Sequence, residues 1–330
     1  MTDTPEAAQR DVPDRDDGRV YVMPDDLDLA VRVALSTGRP LLLRGKPGSG
    51  KSSLAPYVAR QRNWRYYAFV VTSQTRARDL LWTFDGIRRL ADAQISKASH
   101  DPGFYVEPGP LWWALAPQSA ARHVRVNASK RAGRHAAAGD FTHPLQKANA
   151  GRSPHHSVVL IDEIDKADPD VPNGLLEPLS SHGFTVADSG QRVEIEQPSA
   201  AGRGAQPFMR DLVVITTNEE RELPQAFLRR CVIAELDPPD NAAALVAIVE
   251  QHLLVRLGAV SDGDRALALD LAKALGEARE SARAEGIREP STAEYLDAFW
   301  ACRALNVGVA DPDWDAIRRL TLIKPQRLRD

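Results

Sequence analysis

The sequence predicts an α/β fold, a parallel sheet covered by helices on both faces, followed by a smaller all-helical region. Short apolar runs such as PLLLRG, SVVLIDE and DLVVITTN alternate with helical patterns over the first two thirds of the chain. Such alternation is typical of a parallel sheet that is buried on both faces. From Asn241 onward the apolar spacing is helical, and Pro238 and Pro239 mark the expected boundary.

Three regions are therefore expected along the 330 residues. Residues 1–20 are polar and contain prolines, which is typical of a disordered tail. Residues 21–238 are expected to form the core that carries the sheet, and residues 239–330 the helical region. Within the core, a basic stretch at about 118–156 is rich in Ala, Gly and His and has little apolar periodicity, so we expect a low-complexity insertion there.

Apolar spacing and the residues at element ends predict the individual helices and strands. Before the basic stretch we expect, in chain order, a helix at 25–38, a strand at 40–45, a helix at 50–62, a strand at 64–71 and a helix at 77–94. After it we expect a strand at 157–163, a helix at 169–183, a hairpin at 184–196, strands at 211–218 and 231–237, and helices at 241–258, 264–280 and 291–305.

Composition and charge exclude several classes of protein. The chain has 42 Lys and Arg against 45 Asp and Glu, which argues against a uniformly basic nucleic-acid-binding surface. Its two cysteines, Cys231 and Cys302, are far apart and imply no disulfide framework. No apolar run reaches the length of a membrane span and no signal peptide opens the chain, so we expect a soluble, cytoplasmic protein without a membrane partner.

The segment GKPGSGKS, Gly45 to Ser52, matches the pattern G-x-x-x-x-G-K-[ST] between a predicted strand and a predicted helix. Glycines let the backbone wrap a phosphate, so that successive N–H groups and the helix N-terminus point at the anion. Lys51 is expected to bridge the β- and γ-phosphates, and Ser52 to offer its hydroxyl to Mg²⁺. The expected ATP-binding residues are Gly45, Lys46, Pro47, Gly48, Ser49, Gly50, Lys51, Ser52 and Ser53.

A second candidate site follows the apolar strand in VVLIDEIDKAD, which ends in the adjacent acids Asp162 and Glu163. Burying either acid would be costly unless a cation or a donor compensated its charge. We therefore expect Asp162 to hold Mg²⁺ together with Ser52, and Glu163 to orient and polarise the water that attacks the γ-phosphate. The later acids Asp165, Asp168 and Asp170 are expected at a solvated helix start, where negative charge suits the helix dipole.

Two further candidates lie on later segments. VVITTN ends in Asn218, whose amide could hydrogen-bond the attacking water or the γ-phosphate; a turn-forming asparagine is the alternative. In ELPQAFLRRC, Arg229 or Arg230 could stabilise the charge on a neighbouring subunit's γ-phosphate, while the other would be an ordinary surface arginine.

With these four elements in this order, the chain resembles the AAA+ ATPases, a family of P-loop NTPases, in their MoxR-like and dynein-related (McrB-like) branch. GKPGSGKS corresponds to Walker A, VVLIDEIDKAD to Walker B, ITTN to sensor 1 and LPQAFLRRC to the arginine-finger region. FYVEPGPLWWAL resembles the helix-2 insertion of that branch, and FTVADSGQRVEIE its hairpin before sensor 1. The resemblance covers Tyr21 to Asp237 well and the helical lid loosely.

The resemblance implies ATP binding with Mg²⁺ at subunit interfaces of a homo-oligomeric ring, usually a hexamer. It also implies chaperone-like remodelling or activation of a partner protein, which in the MoxR-like branch often carries a von Willebrand factor A domain. The family pattern aligns Arg230 with the finger. The family lid presents an arginine, called sensor 2, at the start of its third helix. Here that position holds Thr292 or Ala293, and Arg288 is the nearest candidate.

Other functions stay open at this point. The chain could be a nucleotide-gated scaffold with slow turnover, or the McrB-like motor of a nucleic-acid-acting or defence complex, where GTP could replace ATP. The basic stretch at 118–156 could contact nucleic acid, but it lacks base-stacking aromatic residues, so a solvated insertion is favoured. A small-molecule kinase is disfavoured, because Glu163 beside Asp162 suits activation of water.

Overall fold

The computed structural model describes residues 18–95, 100–132, 148–181, 183–195 and 211–322. Most of the tail expected at 1–20 and the middle of the basic stretch lie outside these ranges. Two units can be distinguished by their internal contacts. Residues 25–44 and 58–235 contribute to the first unit, and residues 18–24, 45–57 and 236–322 to the second. The boundary expected near residue 238 between the core and the helical region stays a prediction.

All strands of the described residues lie in the first unit. They are β1 (Leu41–Arg44), β2 (Trp64–Val70), β3 (Trp82–Phe84), β4 (Val106–Pro108), β5 (Ser153–Asp162), β6 (Gly183–Val186), β7 (Gln191–Glu194), β8 (Asp211–Thr216) and β9 (Val232–Glu235). Five of them form a parallel sheet in the order β2-β5-β8-β1-β9. The pairs β3–β4 and β6–β7 are antiparallel.

The sheet order explains why polar residues at strand ends can meet. Ile161 of β5 lies opposite Ile215 of β8, and Leu43 of β1 lies opposite Thr216. The carboxyl ends of these three strands therefore lie side by side at one edge of the sheet. Their apolar residues are buried, apart from the partly buried Val213, as expected for a parallel sheet covered on both faces. In doubly wound folds this edge is where ligands bind.

The helices before residue 236 connect or cover these strands. They are α1 (Asp25–Thr37), α2 (Lys51–Gln61), α3 (Gly86–Gln94), α4 (Pro110–Leu115), α5 (Pro117–Ala132), α6 (Asp170–Gly174), α7 (Leu176–Ser181) and α8 (Gln225–Leu228). The expected single helix at 169–183 is thus divided into α6 and α7. Trp112 of α4 is fully buried, and Trp113 is partly buried against the same hydrophobic core.

The expected helix at 77–94 is wrong. The chain instead forms a short 3₁₀ turn at Ala77–Leu80, then β3, and only then α3. Asp85 caps α3 by accepting a hydrogen bond from the Arg88 N–H, which starts the helix nine residues later than expected. Strand β3 forms because Trp82–Phe84 can pair with β4, more than twenty residues further along the chain.

The expectation of a low-complexity insertion at about 118–156 also needs correction at both ends. Its beginning forms the helix α5, and Ser153 to His156 form the first part of β5. In α5, Ala120 and Asn127 are buried, and the Asn127 amide donates a 2.9 Å hydrogen bond to the Gly103 carbonyl. Because small and polar residues occupy the packed face, hydropathy alone does not reveal this helix.

The second unit contains the helices α9 (Ala242–Leu257), α10 (Asp262–Glu285), α11 (Thr292–Leu305) and α12 (Trp314–Thr321). Their apolar faces form a separate core that includes Leu253, Leu275 and Phe299. Ser261 and Ser291 begin α10 and α11 with capping boxes, each closed by an acid three residues later. The predicted fold class, an αβα parallel-sheet core followed by a small helical lid, is confirmed. Among the described residues, no helix combines the length and the apolarity that crossing a bilayer requires.

Candidate functional site

The segment Gly45 to Ser52 begins directly after β1, and α2 begins within it at Lys51. Gly48 and Gly50 have φ angles of 78° and 95°, in the region that favours glycine. A Cβ atom added to Gly48 would lie only 2.6 Å from the Cβ atom of Ser291. Both the backbone conformation and the space therefore require glycine at position 48.

Lys51 is buried, with 5% of its surface exposed. Its ammonium donates hydrogen bonds to the carbonyl oxygens of Gly45 at 2.6 Å and Lys46 at 2.9 Å. The loop thus curls around the lysine that we expect to contact the phosphates. Lys46 extends toward the lid, where its Nζ lies 2.7 Å from Glu289 Oε1.

The other loop residues also suit an anion. The Oγ atom of Ser49 is buried and has no hydrogen-bond partner among the described residues. A buried hydroxyl of this kind is costly unless a ligand or water pairs with it, so it fits a loop that binds phosphate oxygens. Pro47 precedes Gly48, and Ser52 and Ser53 lie in the first turn of α2. The hydroxyl of Ser52 is the kind of oxygen ligand that Mg²⁺ prefers.

The acids at the end of β5 are held by a threonine of β8. Thr216 Oγ1 donates a 2.6 Å hydrogen bond to Asp162 Oδ1 and accepts a 2.9 Å hydrogen bond from the Glu163 N–H. Thr216 is 1% exposed. One buried hydroxyl therefore orients the expected metal ligand and the backbone of the expected water-activating residue. Sequence reasoning did not single out Thr216, although it lies two residues before Asn218.

Glu163 has a backbone conformation that is uncommon for a residue with a side chain, with φ 59° and ψ 51°. Its Oε1 accepts a 3.3 Å hydrogen bond from Asn218 Nδ2, and its Oε2 accepts a 2.6 Å hydrogen bond from Lys166 Nζ. The structure thus brings Glu163 and Asn218 together. The hydrogen bond to Glu163 raises the pKa of Lys166 above its ordinary value, so the Lys166 ammonium is charged at neutral pH.

Asp165 differs from the expectation of a solvated helix start. It is 2% exposed, and its Oδ2 accepts hydrogen bonds from the backbone N–H groups of Asn218 at 3.1 Å and Glu220 at 2.9 Å. Asp165 therefore fixes the turn that carries Asn218, a role that the sequence pattern did not indicate. Asp168 and Asp170 are exposed, as expected.

Arg229 and Arg230 lie just beyond α8 and are both exposed. Arg230 donates a 3.1 Å hydrogen bond to the carbonyl of Ala226, one helical turn earlier. In the part of the chain that the structure describes, no hydrogen bond or ion pair joins either arginine to Asp162, Glu163 or Asn218. Their exposure leaves both guanidinium groups accessible to another molecule.

Arg288, the nearest candidate for a lid arginine, forms two hydrogen bonds within the lid. Its NH1 and NH2 donate to Glu294 Oε1 and Oε2, each at 3.1 Å. Glu294 also closes the capping box of α11 through Ser291. The guanidinium of Arg288 therefore contributes to the start of α11.

Replacing Thr216 by valine should test the role of the hydroxyl alone, because the packing of the side chain is kept. Thr216→Val keeps the side-chain shape and leaves the Asp162 carboxylate and the Glu163 N–H without this partner, at a cost of about 1–3 kcal/mol. We expect a lower melting temperature and a higher Mg²⁺ requirement for nucleotide hydrolysis, measured by thermal unfolding and by Mg²⁺ titration.

The matched control is Thr217→Val. Thr217 is equally buried, but its hydroxyl accepts from the Glu219 N–H and does not contact the two acids. An unchanged Mg²⁺ requirement in Thr216→Val, or the same increase in both variants, would contradict the role assigned to Thr216.

Comparisons with known proteins give a matching family model and many similar solved structures, two of which are described here. A family model described as an AAA domain of the dynein-related subfamily matches residues 40–231, more than half of the chain. No curated protein matches its sequence. A candidate ATPase from Cytophaga hutchinsonii ATCC 33406 is 16% identical, with a TM-score of 0.41 over 92% of this chain and 83% of that one.

A second solved structure is NtrX from Brucella abortus in complex with ADP. It is 12% identical, with a TM-score of 0.47, and the match covers 92% of this chain and 56% of NtrX. At these identities and TM-scores, neither of the two similarities bears on the chemistry of this chain.

Proposed function

Because the chain belongs to the dynein-related subfamily of AAA domains, we propose that it is an ATPase that hydrolyses ATP to ADP and phosphate with Mg²⁺. The finer proposal is a MoxR-like function, in which hydrolysis drives the remodelling or activation of a partner protein. In this proposal, the phosphate loop Gly45–Ser53 binds the ATP, and the polar residues at the strand ends around Glu163 take part in its hydrolysis. Family membership supports ATP as the nucleotide, and the residues around Glu163 support hydrolysis.

The observation that carries the proposal is the environment of Glu163. Its carboxylate lies between the Asn218 amide and the Lys166 ammonium, at 3.3 Å and 2.6 Å. A carboxylate held by a neighbouring amide can orient a water molecule and accept its proton as the water attacks phosphorus. Asn218 would align the same water or bind a γ-phosphate oxygen. A scaffold that only binds nucleotide would not require these two side chains in contact.

The other residues have separate tasks in this proposal. Lys51 would leave the loop carbonyls and pair with phosphate oxygens, while the loop N–H groups hold the anion. Ser52 and Asp162 are the residues that would hold Mg²⁺, since both offer the oxygen ligands this ion prefers. Held there, Mg²⁺ would neutralise negative charge on the phosphates. Thr216 orients Asp162 for this task.

The exposed Arg230 supports a site completed by a second copy of the chain. We propose that Arg230 acts at the γ-phosphate of a neighbouring subunit in a homo-oligomeric ring, with six subunits as the family's usual number. Arg229, one residue earlier, is the alternative. A protein partner, with a von Willebrand factor A domain as one candidate, is carried over from the family resemblance. Nucleic-acid binding through the basic stretch at 118–156 stays a less favoured proposal.

The proposed function is tested by steady-state hydrolysis of ATP, with GTP alongside, over a wide range of protein concentration. We expect phosphate release with ATP and a rate per subunit that rises with concentration, because the active site is completed between subunits. A negligible rate at all concentrations, with nucleotide still bound, would contradict the ATPase proposal for the chain alone and favour a nucleotide-gated scaffold.

A further inference from the structure

We propose that Glu289 of the lid lowers the nucleotide affinity of the phosphate loop by holding Lys46 in an ion pair, and thereby couples the lid to occupancy of the loop. The inference rests on the proposed binding of ATP by this loop. It assigns a positioning role to an acid in the region where the family resemblance implies an arginine. The first and second positions of the loop, Gly45 and Lys46, belong to the same structural unit as the lid.

The contact itself is short and well defined. Lys46 Nζ lies 2.7 Å from Glu289 Oε1, and the other carboxylate oxygen, Oε2, lies 3.1 Å from Arg283 NH2. The side chain of Glu289 is only 17% exposed, whereas that of Lys46 is 60% exposed. The carboxylate is therefore the fixed member of the pair, and the lysine is the member that can move.

The charge state of Glu289 supports an ion pair. The hydrogen bond from Lys46, followed by that from Arg283, lowers the pKa of the Glu289 carboxyl below its ordinary value. The carboxylate is therefore ionised at neutral pH. The ionised Glu289 carboxylate therefore competes with an incoming polyphosphate for the Lys46 ammonium.

The backbone around Glu289 is anchored from within the lid. The buried Arg279 donates from Nε to the Pro290 carbonyl at 3.0 Å and from NH1 to the Pro239 carbonyl at 2.7 Å. The next residue, Ser291, is the N-cap of α11. Glu289 is thus positioned by a buried guanidinium and a helix cap, so movement of this segment moves the carboxylate.

The same segment touches the loop at a second place. A Cβ atom on Gly48 would lie 2.6 Å from the Cβ atom of Ser291, so the loop backbone and the start of α11 are in direct contact. Two buried hydroxyls beside this contact, Ser49 Oγ and Thr292 Oγ1, have no hydrogen-bond partner among the described residues. A buried hydroxyl without a partner is costly, so both side chains suit a phosphate or water oxygen as a partner.

Arg288 does not replace Glu289 in this contact. Both of its terminal nitrogens donate to Glu294, in the capping box of α11. Among the described residues, the ion pair between lid and loop is therefore made by an acid of the lid and a base of the loop. Phosphate binding would draw Lys46 away from Glu289 and break this ion pair. Occupancy of the loop and the position of the Glu289 segment of the lid would therefore be coupled.

The test is a double-mutant cycle with ADP as the probe. Glu289→Gln should lower the Kd for ADP about three- to fivefold, the range expected for a partly exposed ion pair. In a Lys46→Gln background, Glu289→Gln should leave the Kd within about twofold, because its partner is gone. An equal decrease in Kd with and without Lys46, or no decrease at all, would overturn the proposal.

Hydrogen exchange in the nucleotide-free protein gives a second readout that needs no activity. Glu289→Gln should speed exchange of the amides at 45–52, and unchanged exchange there would overturn the coupling. Glu285→Gln is the matched control, since Glu285 lies on the same lid segment and accepts its hydrogen bond from Ser281 of its own helix. A wild-type protein that binds no ADP would overturn the ATPase proposal and the affinity role of Glu289 together. Faster exchange in Glu289→Gln would in that case identify the ion pair as a structural contact only.

Discussion

Glu163→Gln is expected to bind ATP and to lose about 10²–10⁴-fold in turnover. Glutamine matches glutamate in size and faces the same backbone strain at φ 59°, so the fold around residue 163 should persist. The variant lacks the carboxylate that would accept a proton from the attacking water. Steady-state phosphate release and ATP binding, both measured on the same preparation, check this result.

A control for the loss of one acid is Asp168→Asn, because Asp168 lies on the same segment but is exposed. It should hydrolyse ATP at close to the wild-type rate. Turnover of Glu163→Gln within about threefold of wild type would show that Glu163 is not the water-activating residue. Loss of ATP binding in the same variant would instead assign Glu163 to binding.

Arg230→Ala is expected to bind ATP with little change and to lose about 10³-fold in turnover, the lower range for an arginine that contacts the γ-phosphate. The exposed guanidinium contributes little to the fold, so melting temperature should be nearly unchanged. Arg229→Ala is the matched control, since it removes an adjacent, equally exposed arginine. A large loss in Arg229→Ala alone would move the role to that residue.

Mixing variants tests whether Arg230 acts between subunits. Lys51→Ala should lose nucleotide binding but still offer Arg230 to a neighbour, while Arg230→Ala should keep an intact loop. Mixtures should therefore hydrolyse ATP faster than either variant alone. If the mixture gains no activity while sedimentation shows that the two variants assemble together, Arg230 does not act in trans.

Much of the fold follows from local patterns. The apolar runs around Leu41–Arg44, Ser157–Asp162 and Asp211–Thr216 form strands because a parallel sheet buries both of their faces. The helix expected at 77–94 fails because β3 exists only through its pairing with β4, a contact that no local window contains. Apolar periodicity does not predict helix α5 for a related reason. Its packed face carries the buried Ala120 and Asn127 and the partly buried His123, so hydrogen bonds and close packing, rather than a run of apolar residues, hold it in place.

The candidate site divides in the same way. The proximity of Glu163 and Asn218 could be predicted, since the carboxyl ends of adjacent parallel strands meet at one sheet edge. The roles of Thr216 and Asp165 could not be predicted. A single threonine and a third acid form no sequence motif, and their hydrogen-bond partners are known only from the structure. Their roles depend on burial and on hydrogen bonds to residues more than fifty positions away.

The sequence by itself determined the family, the glycine-rich phosphate loop and the acids at the end of β5. These features depend on local backbone geometry and on residue types that few other structures require, such as glycine at φ 78°. Only the tertiary structure decided which polar side chains contact them. Thr216 hydrogen-bonds Asp162, Asp165 hydrogen-bonds the turn that carries Asn218, and Glu289 pairs with Lys46. The last pair spans 243 residues of chain. Such contacts form only when folding brings distant segments together. A single polar residue has no sequence periodicity from which such a contact could be predicted.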